Sequence, residues 1–338
     1  MKKSLALVLS LALVFTTLTA CGKSESKDGG EAIKTGLGIV TSIAGSTNAG
    51  DEDGLAQAYS YIAAVTVGSD NKIIDCKLDA AQTNINFSKE GKLTTDIAAG
   101  FQTKQELKDA YGMKAASSIS KEWYEQANSF AEFVKGKTLD EVKGISINEE
   151  GKAGDADLAS SVTVHIGDFV AVVSKAVSNA QDLGAKSGDK LGLGTTTTAD
   201  KSKDASAEGD GLAEAYAFYS AVTVDSSNKI TSCAIDASIA DVNFSTEGVI
   251  TSDINAEVQS KQELKDAYGM KSASGIGKEW FEQANAFAKY VVGKTADEVK
   301  GMSVNEEGKT GDADLASSVT VHVAPFMGIV EKAATNAK

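Results

Sequence analysis

The stretch Asp-Ala-Asp-Leu-Ala-Ser-Ser-Val-Thr-Val-His occupies residues 155–165 and recurs without a change at residues 312–322. Each copy lies just ahead of an apolar run that predicts a closing helix. Thr163 corresponds to Thr320, an offset of 157 residues that holds from Gly54 onward. Solenoid repeats are much shorter, at about 20–50 residues. The sequence therefore predicts two homologous domains in tandem.

Within one repeat, the order of the patterns predicts strands before helices. β-branched and apolar runs at residues 61–67 and 72–78 flank Gly68-Ser69-Asp70-Asn71, which is typical of a β-hairpin. Thr103 and Glu106 then stand three residues apart, as in a capping box at a helix start. Segregated strands and helices favour an α+β fold, with an antiparallel sheet in each domain.

The remaining helices and the domain limits follow from periodicity and composition. Trp123, Ala127, Phe130 and Val134 recur at helical spacing, so we expect them to form the buried face of one helix. We place the limits from the repeats and the polar segment between them: a first domain at residues 36–180, a linker at 181–191 and a second domain at 192–338.

Charge and cysteine content exclude some classes of function. The formal net charge is −14, and no lysine cluster offers the basic surface that a nucleic acid needs. Cys76 and Cys233 are equivalent positions in strand-like runs, where we expect them to be buried as small apolar side chains. The chain has no Cys-x-x-Cys pair with the spacing of a metal site.

The N-terminus carries the pattern of an export signal. Lys2 and Lys3 precede an apolar run at residues 5–14 that is too short for a stable membrane span. Leu18-Thr19-Ala20-Cys21 resembles the lipobox of bacterial lipoproteins. We therefore expect a signal peptide at residues 1–20, a lipid on Cys21, a flexible tether at residues 21–35, and a protein anchored at the outer face of the cell membrane.

The doubled motif has two interpretations on physical grounds. Its hydroxyls stand shortly before a predicted helix, where free N–H groups and the helix dipole favour an anion such as phosphate. Alternatively, Ser, Thr and Asp cap the helix and the carboxylates are solvated in a turn. Without further residues, both interpretations stay open.

The same residues carry a resemblance to a known family. Asp157-x-x-Ser160-Ser161-Val162-Thr163 is similar to the flavinylation motif Asp-x-x-Ser/Thr-Gly-Ala-Ser/Thr, with serine in place of glycine and valine in place of alanine. Lys-Gln-Glu-Leu-Lys-Asp-Ala-Tyr-Gly-Met also occurs twice, at residues 104–113 and 261–270. With the lipobox and the tandem repeat, the chain resembles the flavin-bearing lipoproteins of Gram-positive extracellular electron transfer, of the pheromone-precursor type.

The resemblance implies FMN-binding-like domains and a role for each residue of the motif. Thr163 and Thr320 would each carry a covalent FMN, two in all, joined through a phosphodiester bond by a flavin transferase. That enzyme would recognise the acidic residues of the motif, and the serines would bind the phosphate or shape the loop. These positions are Asp157, Asp314, Ser160, Ser161, Ser317 and Ser318.

Four further side chains have an open role. They would pack either on the isoalloxazine ring or in the core, since tyrosine and methionine suit a flat apolar face. These residues are Tyr111, Met113, Tyr268 and Met270. His165 and His322 follow the attachment positions by two residues and have either a structural role or an influence on the flavin.

The resemblance implies a redox carrier rather than an enzyme that transforms a substrate. It would take electrons from a quinone-linked donor in the membrane and pass them to extracellular acceptors. The alternative is a surface-binding or adhesive lipoprotein with a noncovalent ligand. A further role, compatible with the carrier, is that residues 10–20 of the signal peptide are released as a peptide pheromone.

Overall fold

The computed structural model describes residues 30–338, and Glu31–Lys338 form one compact unit. The predicted signal peptide, the lipidation position Cys21 and the tether up to residue 29 lie outside the described residues. The described chain is α+β, with two three-stranded antiparallel sheets and short helices, as the sequence predicted.

The two repeats have the same order of elements. The first contains β1 (Lys34–Ser42), β2 (Gly54–Val67), β3 (Ile73–Phe87), α1 (Lys104–Leu107), a 3-10 helix (Lys108–Tyr111), α2 (Trp123–Phe133), α3 (Leu139–Lys143), α4 (Ala156–Ala159) and α5 (Gly167–Ser178). The second contains β4 (Lys190–Thr198), β5 (Gly211–Val224), β6 (Ile230–Phe244), α6 (Lys261–Leu264), a 3-10 helix (Lys265–Tyr268), α7 (Trp280–Tyr290), α8 (Ala296–Lys300), α9 (Ala313–Ala316) and α10 (Ala324–Asn336).

Each sheet is a simple meander, in the order β1-β2-β3 and β4-β5-β6. The predicted hairpin is confirmed, with Asn71 at φ 60° in its turn. Its strands are much longer than predicted, because pairing continues to Gly54 opposite Phe87. The added half is rich in alanine, serine and polar residues, which carry little β-propensity of their own.

Alternation along the strands gives each sheet two buried faces. Val65 and Val67 face the helices of their own repeat, whereas Ile62 and Ala64 face the other sheet. The corresponding residues of the second repeat divide in the same way, with Tyr219 and Ala221 between the sheets. The molecule is therefore layered as helices, sheet, sheet and helices.

Several helix predictions are confirmed. Thr103 and Glu106 form a capping box at α1, with each side chain bonded to the backbone of the other. All four residues of the predicted α2 face are buried: Trp123, Ala127, Phe130 and Val134. Cys76 and Cys233 are likewise buried free thiols, as expected.

Gly36 and Gly38 let α5 lie directly against the edge strand β1. A Cβ on Gly36 would stand 2.0 Å from the carbonyl oxygen of Ala176. The side chains of Lys175 and Asn179 donate hydrogen bonds to carbonyl oxygens of β1. These contacts cover a sheet edge that would otherwise expose unpaired backbone groups.

Residues ahead of the expected domain limit at residue 36 also take part in the fold. Ile33 is buried and its N–H donates to Ala185, while Thr35 pairs with Gln181. Part of the segment expected as a linker therefore pairs with the strand that opens the first repeat. β4 starts at Lys190, within the last residues of that segment.

Equivalent residues of the two repeats contact each other across the interface between the sheets. Phe87 and Phe244 stack with ring centroids 4.2 Å apart and planes 7° from parallel. Lys175 pairs with Glu263, and Lys332 pairs with Glu106, both at 2.6 Å. The lysine of each repeat thus pairs with the equivalent glutamate of the other repeat, as in a two-fold symmetric dimer.

Candidate functional site

Thr163 lies in the turn between α4 and α5, close to where the sequence placed it ahead of the closing helix. Its N–H and its hydroxyl both donate to the Oε1 atom of Gln126, at 2.7 and 3.2 Å. The N–H of Val164 donates to the same oxygen at 3.2 Å. One buried amide oxygen therefore fixes the whole Thr163 turn.

Gln126 is itself fixed by its other end. Its Nε2 donates to the Ser117 hydroxyl and to the Lys121 carbonyl, both at 3.2 Å, so the network defines which way the amide points. In the second repeat, Gln283 holds Thr320 in the same way, at 2.8 and 3.3 Å. The arrangement is duplicated together with the motif.

Sequence reasoning missed both glutamines, although a signal existed. Gln126 follows Trp123 by three residues, so it belongs to the apolar face of an amphipathic helix. A fully buried polar side chain on such a face must find partners, since leaving it unpaired is costly. That rule would have singled out Gln126 and Gln283 as internal anchors.

The serines of the motif bond back to their own short helix. The hydroxyl of Ser160 donates to the Asp157 carbonyl at 2.7 Å, and that of Ser161 donates to the Leu158 carbonyl at 3.2 Å. Ser317 and Ser318 do the same in the second repeat. Their hydroxyl protons are thus engaged within α4 and α9.

The aspartates of the motif divide into two kinds. Asp155 caps α4, accepting the Leu158 N–H at 3.0 Å, and Asp312 caps α9 in the same way. The Leu315 N–H and the Tyr290 hydroxyl lower the pKa of Asp312. Asp157 and Asp314, the predicted recognition residues, are exposed in the first turns of these helices.

Tyr111 and Met113 are half-buried in the loop that precedes α2. The carboxylate of Glu122 accepts the N–H groups of Met113 and Lys114, both at 2.9 Å. Glu279 holds Met270 in the second repeat at the same distance, with Tyr268 two residues ahead. The first turn of α2 therefore bonds both to the Tyr111 loop, through Glu122, and to the Thr163 turn, through Gln126.

A buried lysine, which sequence reasoning also missed, lies beside Trp123 in the first turn of α2. The Nζ atom of Lys104 donates to the hydroxyls of Tyr59 and Tyr111, both at 2.6 Å. It also lies 5.4 Å from the centre of the Trp123 ring. We call these four residues the first lysine cluster.

The second repeat builds the same arrangement from equivalent residues. The second lysine cluster consists of Lys261, Tyr216, Tyr268 and Trp280, with Nζ to hydroxyl distances of 2.5 and 2.7 Å. Burial lowers the pKa of Lys104 to about 8 and that of Lys261 to about 7. Within residues 30–338, neither ammonium has a carboxylate at ion-pair distance.

The surroundings of the two clusters are not identical. Tyr61 and Asp168 lie near Tyr59 in the first repeat, and burial raises the pKa of Tyr61 to about 12. Phe218 and Pro325 occupy the corresponding positions of the second repeat. The first site therefore has a hydroxyl and a carboxylate at positions where the second has neither. Conversely, Glu214 lies near the second lysine cluster, where the first repeat has Gln57.

Other predicted or possible sites lie apart from this arrangement. His165 and His322 are both exposed, and each ring packs over a glycine turn. A cavity of about 560 Å³ opens between the repeats, and none of the predicted site residues lines it.

The described part of the chain contains neither a group of metal ligands nor a membrane-spanning helix. Its His, Cys, Asp and Glu side chains form no group of three that could hold a metal ion. No helix in residues 30–338 has the length and apolar character needed to cross a bilayer.

Comparison with known proteins gives one partial likeness. The chain is 54% identical over 68 residues to a chlorophenol reductase of Desulfitobacterium hafniense. The aligned stretch is 20% of this chain and 19% of that protein. The chain thus aligns with about a fifth of that relative. No protein-family model and no solved structure matches.

Proposed function

We propose that the protein is a membrane-anchored extracellular electron-transfer lipoprotein that carries two covalent FMN groups, on Thr163 and Thr320. One observation carries the proposal: the hydroxyl at the attachment position of the motif is half-exposed and held by a buried glutamine in both repeats. A buried anchor gives the hydroxyl a fixed position, and partial exposure gives a transferase access to it.

The residues present suit an FMN joined through its phosphate. The Thr163 hydroxyl donates a hydrogen bond to Gln126, so the lone pairs of its oxygen stay free for a new bond. Asp157 is exposed six residues ahead, where a flavin transferase can contact it. Tyr111 and Met113 would hold the ring at the same end of α2.

The serines of the motif would stabilise the loop rather than bind the phosphate. Ser160 and Ser161 already donate to carbonyl oxygens of α4, so they shape the turn that presents Thr163. The FMN-binding-like character of each repeat is part of this proposal. The carboxylates of α4 and α9 remain at the surface for recognition.

The flavins would supply the redox chemistry, and the chain would hold and tune them. Electrons would come from a quinone-linked donor in the membrane and leave to extracellular acceptors. Lipid on Cys21 would keep the protein at the outer face of the cell membrane. The proposed protein is a carrier, with no substrate to transform.

Intact-mass spectrometry after coexpression with a flavin transferase tests the proposal. The full-length chain should gain two FMN groups, Thr163→Val should gain one, and Thr163→Val with Thr320→Val should gain none. Thr335→Val removes an exposed threonine hydroxyl elsewhere and should keep both groups. An unmodified mass for the unsubstituted chain would refute the proposal.

A further inference from the structure

Each of the two lysine clusters buries a lysine whose protonated form, the ammonium, has no carboxylate at ion-pair distance in the described part of the chain. Lys104 and Lys261 are 4% and 3% exposed, and no carboxylate within the described chain forms an ion pair with either. An ammonium has three donors, of which each lysine uses two on tyrosine hydroxyls. One N–H of each ammonium is therefore left without an acceptor among residues 30–338.

Such a charge is costly for the fold alone. Removing an ammonium from water is unfavourable unless an opposite charge or a full set of hydrogen bonds compensates. The aromatic rings around each lysine offset part of that cost through cation–π attraction. A ligand that brings electron density or negative charge to the free N–H donor would offset the remaining free-energy cost of burying the ammonium.

The position of the clusters points to the ligand. Trp123 belongs to the first lysine cluster, and Gln126, which holds Thr163, follows it by three residues on the same helical turn. Tyr111 belongs to the cluster and to the loop held by Glu122. The ammonium and the attachment hydroxyl therefore contact residues of the same turn of α2, and α7 repeats this arrangement.

We infer that Lys104 and Lys261 are the charge-compensating groups of the two flavin sites. The free N–H of each ammonium donates to the bound flavin, and its positive charge stabilises the negative charge that reduction adds. The inference rests on the proposed function. No bond forms or breaks at the lysine, which keeps its protons, and the electrons come from the quinone-linked donor. Each ammonium thereby raises the reduction potential of its own flavin.

The test compares reduction potentials of the full-length chain carrying both flavins. Lys104→Met keeps a long unbranched side chain, one atom shorter, and removes the charge, so one of the two potentials should shift to a more negative value. Lys261→Met should shift the other potential. Lys104→Arg keeps the charge and should stay nearer the unsubstituted value than Lys104→Met does. Lys89→Met removes an exposed charge from the turn after β3 and should leave both potentials unchanged.

A second readout uses the chain produced without the transferase. Because Met leaves no charge to bury, Lys104→Met should unfold at an equal or higher urea concentration than the unsubstituted chain at pH 7. A purely structural lysine would give the opposite result. Higher stability together with a lower potential in the loaded protein supports the inference.

The remaining outcomes overturn it. Unchanged potentials in a doubly flavinylated Lys104→Met chain would refute the lysine role and leave the proposed function standing. Loss of the flavin at Thr163 in Lys104→Met, restored by Lys104→Arg, would assign the lysine to the attachment reaction instead. Lower stability of the unloaded Lys104→Met chain would make the lysine structural. An unsubstituted chain without flavin would remove both the inference and the proposed function.

Discussion

Single side chains of the candidate site act through segments that are distant in sequence. Gln126 accepts three hydrogen bonds from Thr163 and Val164, 37 and 38 residues away. Periodicity predicted a buried face for α2 but not the partner of its one buried amide. The tertiary fold decides which distant segment supplies the partner, and local sequence patterns do not show that.

Gln126→Leu should weaken both the fold and the attachment in the first repeat. Two backbone N–H groups and one hydroxyl would lose their acceptor, which costs about 1–3 kcal/mol of unfolding free energy. Peptide mass mapping should show less FMN on Thr163, while Thr320 keeps its full share. The exposed Gln102→Leu is the control and should match the unsubstituted chain. Unchanged stability and full modification in Gln126→Leu would contradict this account.

Asp79 gives a prediction about pH. Its carboxylate accepts the N–H groups of Ala80 and Gln105, at 2.7 and 3.1 Å, and burial raises its pKa to about 6. The folded state therefore keeps a proton that the unfolded state has lost, so stability falls as the pH rises from about 4 to above 6. At roughly 1.4 kcal/mol per pH unit, the loss is on the order of 2–3 kcal/mol.

Asp79→Asn should remove that loss because an amide does not ionise. The difference in unfolding free energy between the unsubstituted chain and the variant should therefore change between pH 4 and pH 7, in favour of the variant at the higher pH. Asp236 is equivalent, with its pKa also raised to about 6 by burial, so the double variant should show a larger change. A difference that is independent of pH would rule out this role.

Elements were predicted well where their signal was local. The capping boxes of α1 and α6 follow from Thr103, Ser260 and the glutamates three residues on, and both are present. β1 was not predicted, since Gly36-Leu37-Gly38 has glycines that weaken a strand signal. Those glycines are explained only by the backbone of α5, 140 residues later in the chain.

Gly36→Ala should push α5 away from β1. The new Cβ would lie 2.0 Å from the Ala176 oxygen, which belongs to the helix backbone and cannot turn aside. We expect a loss of about 1–3 kcal/mol or more in unfolding free energy, measured by urea denaturation. Gly167→Ala at the start of α5 meets no atom within 4 Å and should leave stability equal or slightly higher. If Gly36→Ala and Gly167→Ala have the same unfolding free energy, the close approach of α5 to β1 does not contribute to stability.

At the scale of the whole molecule, the sequence predicted two repeats but not how they meet. The duplication is visible in the identical motifs, and both sheets follow it. The inward residues of each sheet, such as Ile62 and Tyr219, pack against the opposite repeat, which no pattern within one repeat reveals. Residues 31–338 therefore form one compact unit rather than two separate bodies.

The shared core predicts that both repeats unfold together. Phe87→Ala removes one ring of the central stack and should cost about 3–5 kcal/mol. In variants that keep only Trp123 or only Trp280, fluorescence during urea denaturation follows the unfolding of the first or the second repeat, respectively. Phe87→Ala should lower both midpoints by the same amount. A Trp280 midpoint that does not move would show that the second repeat unfolds independently.

The reciprocal pairs across the interface also bear on the origin of the molecule. An interface in which Lys175 meets Glu263 while Lys332 meets Glu106 is self-complementary, as between identical subunits. A single repeat could therefore have existed first as a homodimer, with the duplicated gene later joining both partners in one polypeptide. Fusion frees each half to diverge, and Phe218 and Pro325 in place of Tyr61 and Asp168 record such divergence beside the two lysines.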